Sequence, residues 1–289
     1  MQNIGKTIAD QFKSYAASWA GYSAFCSFLL YLLGYLVTRF ELTTLGVARN
    51  LDVLEERYFF AGARFVVYLL ATVPSLLLLL LVPAAIVWSV SRLVPAHLKS
   101  RLQTIRPRTF YVTGIIFAIL VIQFVARQCF VFNNLLLAPT LPGPAWLQAV
   151  LLDDQDQVTS LFFAGLLGAT AITSAFLMAG NKRAPEPEQG SWLAQLLTLL
   201  LVLQALLLPI NYSILIAHKS FPRITEAHAT PEGRTWLIWE NNNQATLFIL
   251  PAASVDERAL ITVDAKKLDA EKQIVGYDPL LRILFAQKK

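Results

Sequence analysis

The chain has 289 residues, of which 56% are hydrophobic and 15% charged, with a formal net charge of +5. Soluble domains carry about 25% charged residues, so this balance argues against an ordinary soluble globular protein. The basic residues lie mostly between apolar runs, a pattern of membrane orientation rather than of a nucleic-acid-binding face.

In residues 1–20, Ile4, Ile8, Phe12, Tyr15 and Trp19 recur every three or four positions, while Lys6, Asp10 and Lys13 project from the other side. That spacing predicts an amphipathic helix lying in a membrane interface, or else packed on another protein element. A first apolar span follows at about 21–37. No small-x-small cleavage site comes after it, so it reads as a retained signal anchor. Residues 39–58 are expected to form a loop with a short helix, since Asp52 and Glu55 have capping-box spacing.

The second span, 59–90, holds 32 residues with one charged side chain, Arg64, and six consecutive leucines, Leu76 to Leu81. About 20 apolar residues cross a ~30 Å hydrocarbon layer, so a helix of about 48 Å exceeds the requirement. Pro74 and Pro83 offer kink points. Residues 91–108 carry Arg92, Lys99, Arg101, Arg106 and Arg108 with no acidic residue. A third span, 109–126, leads into a long connection, 127–157, that closes on Asp153, Asp154 and Asp156. Its stretches Leu135 to Ala138 and Pro142 to Trp146 have the composition of a connector that hugs or enters the interface. The fourth span is about 158–179 and the fifth about 192–217, with Pro209 near its end.

With the amino terminus inside, the inner segments hold nine Lys/Arg and the outer loops four. The positive-inside rule then places the amino terminus in the cytoplasm and the carboxyl terminus outside. Cys26 and Cys129 begin and end spans on opposite faces, too far apart for a disulfide.

From His218 onward there are ten Lys/Arg and nine Asp/Glu, a charge-balanced segment of different character. Trp236 to Glu240 and Ala245 to Leu250 flank the polar cluster 241–244, as in a β-hairpin. Arg258 to Asp264 and Gln273 to Tyr277 predict further strands, and 278–285 a short helix. The expected fold is an α-helical polytopic membrane protein of five transmembrane helices (21–217) with a small β-rich outer domain (218–289), tethered by the fifth helix.

Few residues invite chemistry. Arg64 and Arg127 lie near span ends, where long side chains snorkel to headgroups, although Arg127 has the acidic run 153–156 as an alternative partner. Gln123, Gln204 and Asn211 are the expected polar contacts inside the bundle, the last two sharing a helical face seven residues apart. Ala164, Gly168, Ala171 and Ala175 form a small-residue seam suited to helix packing. Trp236 and Trp239 fall on opposite faces of a regular strand, which leaves one of them for partner contact.

There is no catalytic constellation, metal set or phosphate-cradling loop, and no cofactor is expected. The functional expectation is a non-enzymatic structural or assembly subunit of a bacterial inner-membrane complex, its outer domain docking a membrane or periplasmic partner. A transporter or channel subunit is the alternative, and a membrane enzyme comes third.

Overall fold

The computed structural model describes residues 2–47, 56–93, 107–153, 156–183, 191–216, 220–225, 233–251 and 257–285. Five helical stretches in it are long and apolar enough to cross a membrane: Ser18–Leu45, Glu56–Ile86, Arg108–Val131, Asp156–Asn181 and Trp192–Ile216. The expected count of five therefore stands. The Asp52/Glu55 cap and most of the basic segment, 94–106, lie outside the described residues.

Helix α1 (Gln2–Leu45) is continuous across the boundary drawn at residue 20, and it also absorbs 39–45, expected as loop. Of the amphipathic arc near its start, only the Trp19 side chain lies within the described residues, and it is exposed. The stop signal is chemical. Gly46 adopts φ 89°, its N–H donates to Thr43 O at 3.1 Å, and the Val47 N–H donates to Leu42 O at 2.7 Å. These two bonds form a Schellman motif, which needs a residue without a Cβ at the left-handed position.

The second span divides into α2 (Glu56–Ala71) and α3 (Val73–Leu93) at Thr72. Pro74 lies just beyond this break, where its missing N–H and its ring disfavour a regular turn. The chain continues through α4 (Pro107–Val131), α5 (Ala145–Leu152), α6 (Asp156–Arg183) and α7 (Ser191–Ile216). Helix α1 packs mainly on α2, while α7 touches α1, α4 and α6, and α3 lies on α6.

The closest approach is between α1 and α2. A Cβ on Gly34 would overlap the carbonyl of Tyr58, and one on Gly62 would overlap the carbonyl of Leu30. Only glycine at both positions allows the two backbones to touch. The expected seam on α6 is divided instead. Ala164 and Gly168 are buried, with Gly168 facing the side chains of Leu76 and Leu79, whereas Ala171 and Ala175 are exposed.

The carboxyl-terminal segment forms β1 (Ser220–Thr225), β2 (Gly233–Glu240), β3 (Gln244–Pro251), β4 (Ala259–Asp264) and β5 (Gln273–Pro279). The sheet is antiparallel in the order β4-β3-β2-β1-β5. Asn241 closes the β2–β3 hairpin by accepting from the N–H groups of Asn243 and Gln244 at 3.0 and 2.6 Å. One face is covered by α8 (Ala265–Glu271), through Leu268 against Ile224, Ala245 and Leu247. Strand β1 and helix α8 had no counterpart in the sequence reading.

The other face is not free. Trp236, Phe248, Phe221 and, from α9 (Leu280–Phe285), Leu280 and Leu281 share one buried core with Phe132, Leu135, Leu136, Leu147 and Leu151 of the long connection. Leu42, Leu45 and Val47 at the end of α1 complete it. The connection expected to lie along the interface therefore forms the floor under the sheet. Tethering by α7 alone is corrected accordingly: the sheet is seated on the bundle through a common core.

Candidate functional site

A sizeable cleft bearing charge, about 430 Å³ in volume, lies at the end of the bundle that carries the sheet. Its walls follow from helical spacing. Arg57, Phe60, Ala61 and Arg64 recur at i, i+3, i+4 and i+7 along α2, so one stripe of that helix faces the cleft. Val37, Thr38 and Glu41 face it from α1, and Tyr212 and Ile216, one turn apart, from α7. Trp239 of β2 closes the side toward the sheet.

A bulge puts Trp239 there. Strand β2 pairs Leu237 with Leu247 and then Trp239 with Thr246, leaving Ile238 as the extra residue. The inserted residue shifts the alternation by one, so Trp236, Ile238 and Trp239 all pack toward the core shared with the bundle. Opposite faces, expected from strict alternation, are thereby corrected. Trp236 is fully buried, and its indole N–H donates to Asp278 Oδ2 at 3.0 Å. Trp239 is half-buried beneath Arg57, whose guanidinium carbon lies 5.4 Å from the ring centroid. Arg57 also donates to the carbonyl of Glu240.

Arg57 is thus held in place by the sheet. Arg64 is exposed and makes no hydrogen bond or ion pair among the described residues. Tyr212 connects the cleft to the centre of the bundle, where its ring meets Phe65 at 5.3 Å and Tyr68 at 4.8 Å, and both of these meet Phe163. Such a ring cluster is a stiff floor. The signal for this site is present in the sequence as the Arg57–Arg64 stripe. Treating Arg64 as an isolated snorkelling residue passes over it.

The polar residues expected inside the bundle are only partly brought together. Gln204 and Asn211 are buried and line one small cavity of about 10 Å³ with Thr170 and Val125. Both polar atoms of the Gln204 amide are buried without a hydrogen-bond partner. Gln123 is exposed and takes no part in this cavity. The volume suits about one water molecule. Among the described residues no three His, Cys, Asp or Glu side chains converge to hold a metal. No known protein family, curated protein or solved structure matches this chain.

Proposed function

We propose that the chain is an integral membrane protein acting as a structural or assembly subunit, with its sheet as the docking element for a partner protein. The membrane placement is supported by the outward faces of the long helices. Leu77, Leu78, Leu81, Val82, Ile86, Ile116 and Leu120 are all exposed, and on helices long enough to cross a bilayer a belt of this kind suits contact with lipid. The basic asymmetry described above supports a cytoplasmic amino terminus and a sheet on the opposite side, which in a bacterial inner membrane would be the periplasm.

The observation that carries the docking role is strand β5. It is an edge of the sheet, and Ile274, Val275 and Tyr277 on it are 53%, 55% and 65% exposed. An edge with unpaired backbone groups and exposed apolar side chains is a template for another strand, and proteins that need no partner blunt such edges. Docking therefore moves from the two tryptophans, which the sheet uses internally, to β5. Affinity purification in mild detergent tests it. Val275→Lys should lose partners that the parent chain recovers, and unchanged recovery would discard the β5 role.

The transporter reading rests on Gln204, Asn211 and their cavity. A space for about one water favours hydrated helix adhesion over solute passage. The orphaned amide is the reason to retain conduction as the second reading.

A further inference from the structure

We infer that the cleft between α1, α2, α7 and β2 holds the headgroup of an anionic phospholipid, its phosphate taken by Arg57 and Arg64 and its acyl chains leaving past Phe60. This inference rests on the membrane placement proposed above and is independent of the β5 docking role.

Charge comes first. Two arginines face the cleft against one carboxylate, Glu41. Arg57 is fixed by the Trp239 ring and the Glu240 carbonyl, so its guanidinium is pre-positioned before any ligand arrives, and less conformational freedom is lost on binding. Arg64 stands two helical turns further along, about 10 Å down the axis. Charged side chains within an apolar span are costly and normally find a counter-charge, yet Arg64 forms no ion pair or hydrogen bond among the described residues, and Glu41 alone cannot balance both arginines of the cleft. A phosphodiester supplies that counter-charge, and guanidinium groups match its oxygens in geometry.

Shape separates a lipid from free phosphate. The cleft, about 430 Å³, is far larger than a phosphate ion needs and falls in the range of organic ligand sites. Apolar surface continues from it: Phe60 is 61% exposed, and Val67, one turn beyond Arg64, is 66% exposed. A headgroup in the cleft therefore has a path for its chains along α2, while a soluble anion would leave this surface uncovered. The two ends of the site, charged near the sheet and apolar along the helix, match an amphiphile lying in its own leaflet.

The test uses the full chain purified in a neutral detergent and titrated with dioctanoyl phosphatidylglycerol, or with dioctanoyl phosphatidylcholine, while native mass spectrometry counts bound lipid. One phosphatidylglycerol should bind per chain, at least about tenfold more tightly than phosphatidylcholine. Arg64→Gln should weaken it about tenfold, as expected for loss of a charge-assisted hydrogen bond. Arg64→Lys should recover part of the loss. Arg127→Gln, an exposed arginine outside the cleft, should change nothing. Unchanged melting temperatures would show that each variant is folded.

Equal binding of the two lipids would overturn the inference, and so would an Arg127→Gln loss matching that of Arg64→Gln. Displacement of the lipid by 10 mM-range inorganic phosphate would assign the site to a soluble anion and overturn the lipid. Alkaline carbonate extraction checks the underlying placement separately: release of the chain from membranes removes the membrane reading and this inference together, whereas retention without lipid selectivity removes this inference alone.

Discussion

Gly34 and Gly62 face each other where α1 crosses α2, each against a carbonyl of the other helix, those of Tyr58 and Leu30. Neither backbone can move apart locally without disturbing the ring contacts on either side, Tyr31 and Tyr35 against Tyr58. Gly62→Ala should therefore exceed the ~1–3 kcal/mol usual for overpacking. Gly165→Ala, at a site with open space around the added methyl, should be neutral or stabilising by up to ~1 kcal/mol. Thermal unfolding in detergent compares them. A Gly62→Ala chain as stable as its parent would disprove the contact.

Arg57 and Trp239 join α2 to the sheet, and their coupling is measurable. A double-mutant cycle of Arg57→Ala and Trp239→Ala should give ~0.5–2 kcal/mol, the range of a cation–π pair from exposed to desolvated. Limited proteolysis of either single variant should cut the sheet faster. Strict additivity of the two changes would mean the ring and the guanidinium act separately.

Trp236 sits fully buried above the shared core and donates to Asp278, which also lies 3.4 Å from Arg223. Trp236→Phe keeps an aromatic ring beside Phe248 but removes the donor. The expected loss is ~1.5–3 kcal/mol, the scale of a hydrogen bond to a charged group. Denaturant unfolding followed by sheet fluorescence reads it, and a change below ~0.5 kcal/mol would mean the bond contributes nothing.

Removing 222–289 should harm the bundle rather than leave it intact. The deletion uncovers Phe132, Leu135, Leu136, Leu147 and Leu151, all buried under the sheet. An apolar patch of that kind outside lipid drives association. Size-exclusion chromatography should show aggregated or polydisperse protein. A monodisperse truncated chain melting with the parent would show that the connection is stable without its cover.

Gln204→Leu separates adhesion from conduction. An orphaned buried amide costs ~1–3 kcal/mol, so a leucine of similar volume should leave the melting temperature unchanged or raise it. A marked fall would mean that the amide has a partner, such as a water in its cavity, and would favour hydrated adhesion over conduction.

Sequence alone determined what depends on local composition and period. The five spans follow from uninterrupted apolar length, the hairpin from two β-branched and aromatic runs around a polar turn, and the sharp change near His218 from charge density. None of these needs knowledge of a neighbour.

The tertiary structure decided everything that depends on which surfaces meet. Small residues on α6 advertise close packing, yet the backbone contact is made by Gly34 and Gly62, because helix crossing is a joint property of two elements. The leucines at 135–137 carry the same composition whether lipid or protein covers them, and only the seated sheet shows that protein does. Strict alternation separates Trp236 from Trp239, and one inserted residue, Ile238, reunites them on one face. Helical spacing puts Arg57 and Arg64 on one stripe, but Glu41, Tyr212 and Trp239 come from three other segments, so their convergence with that stripe in one cleft is set by packing.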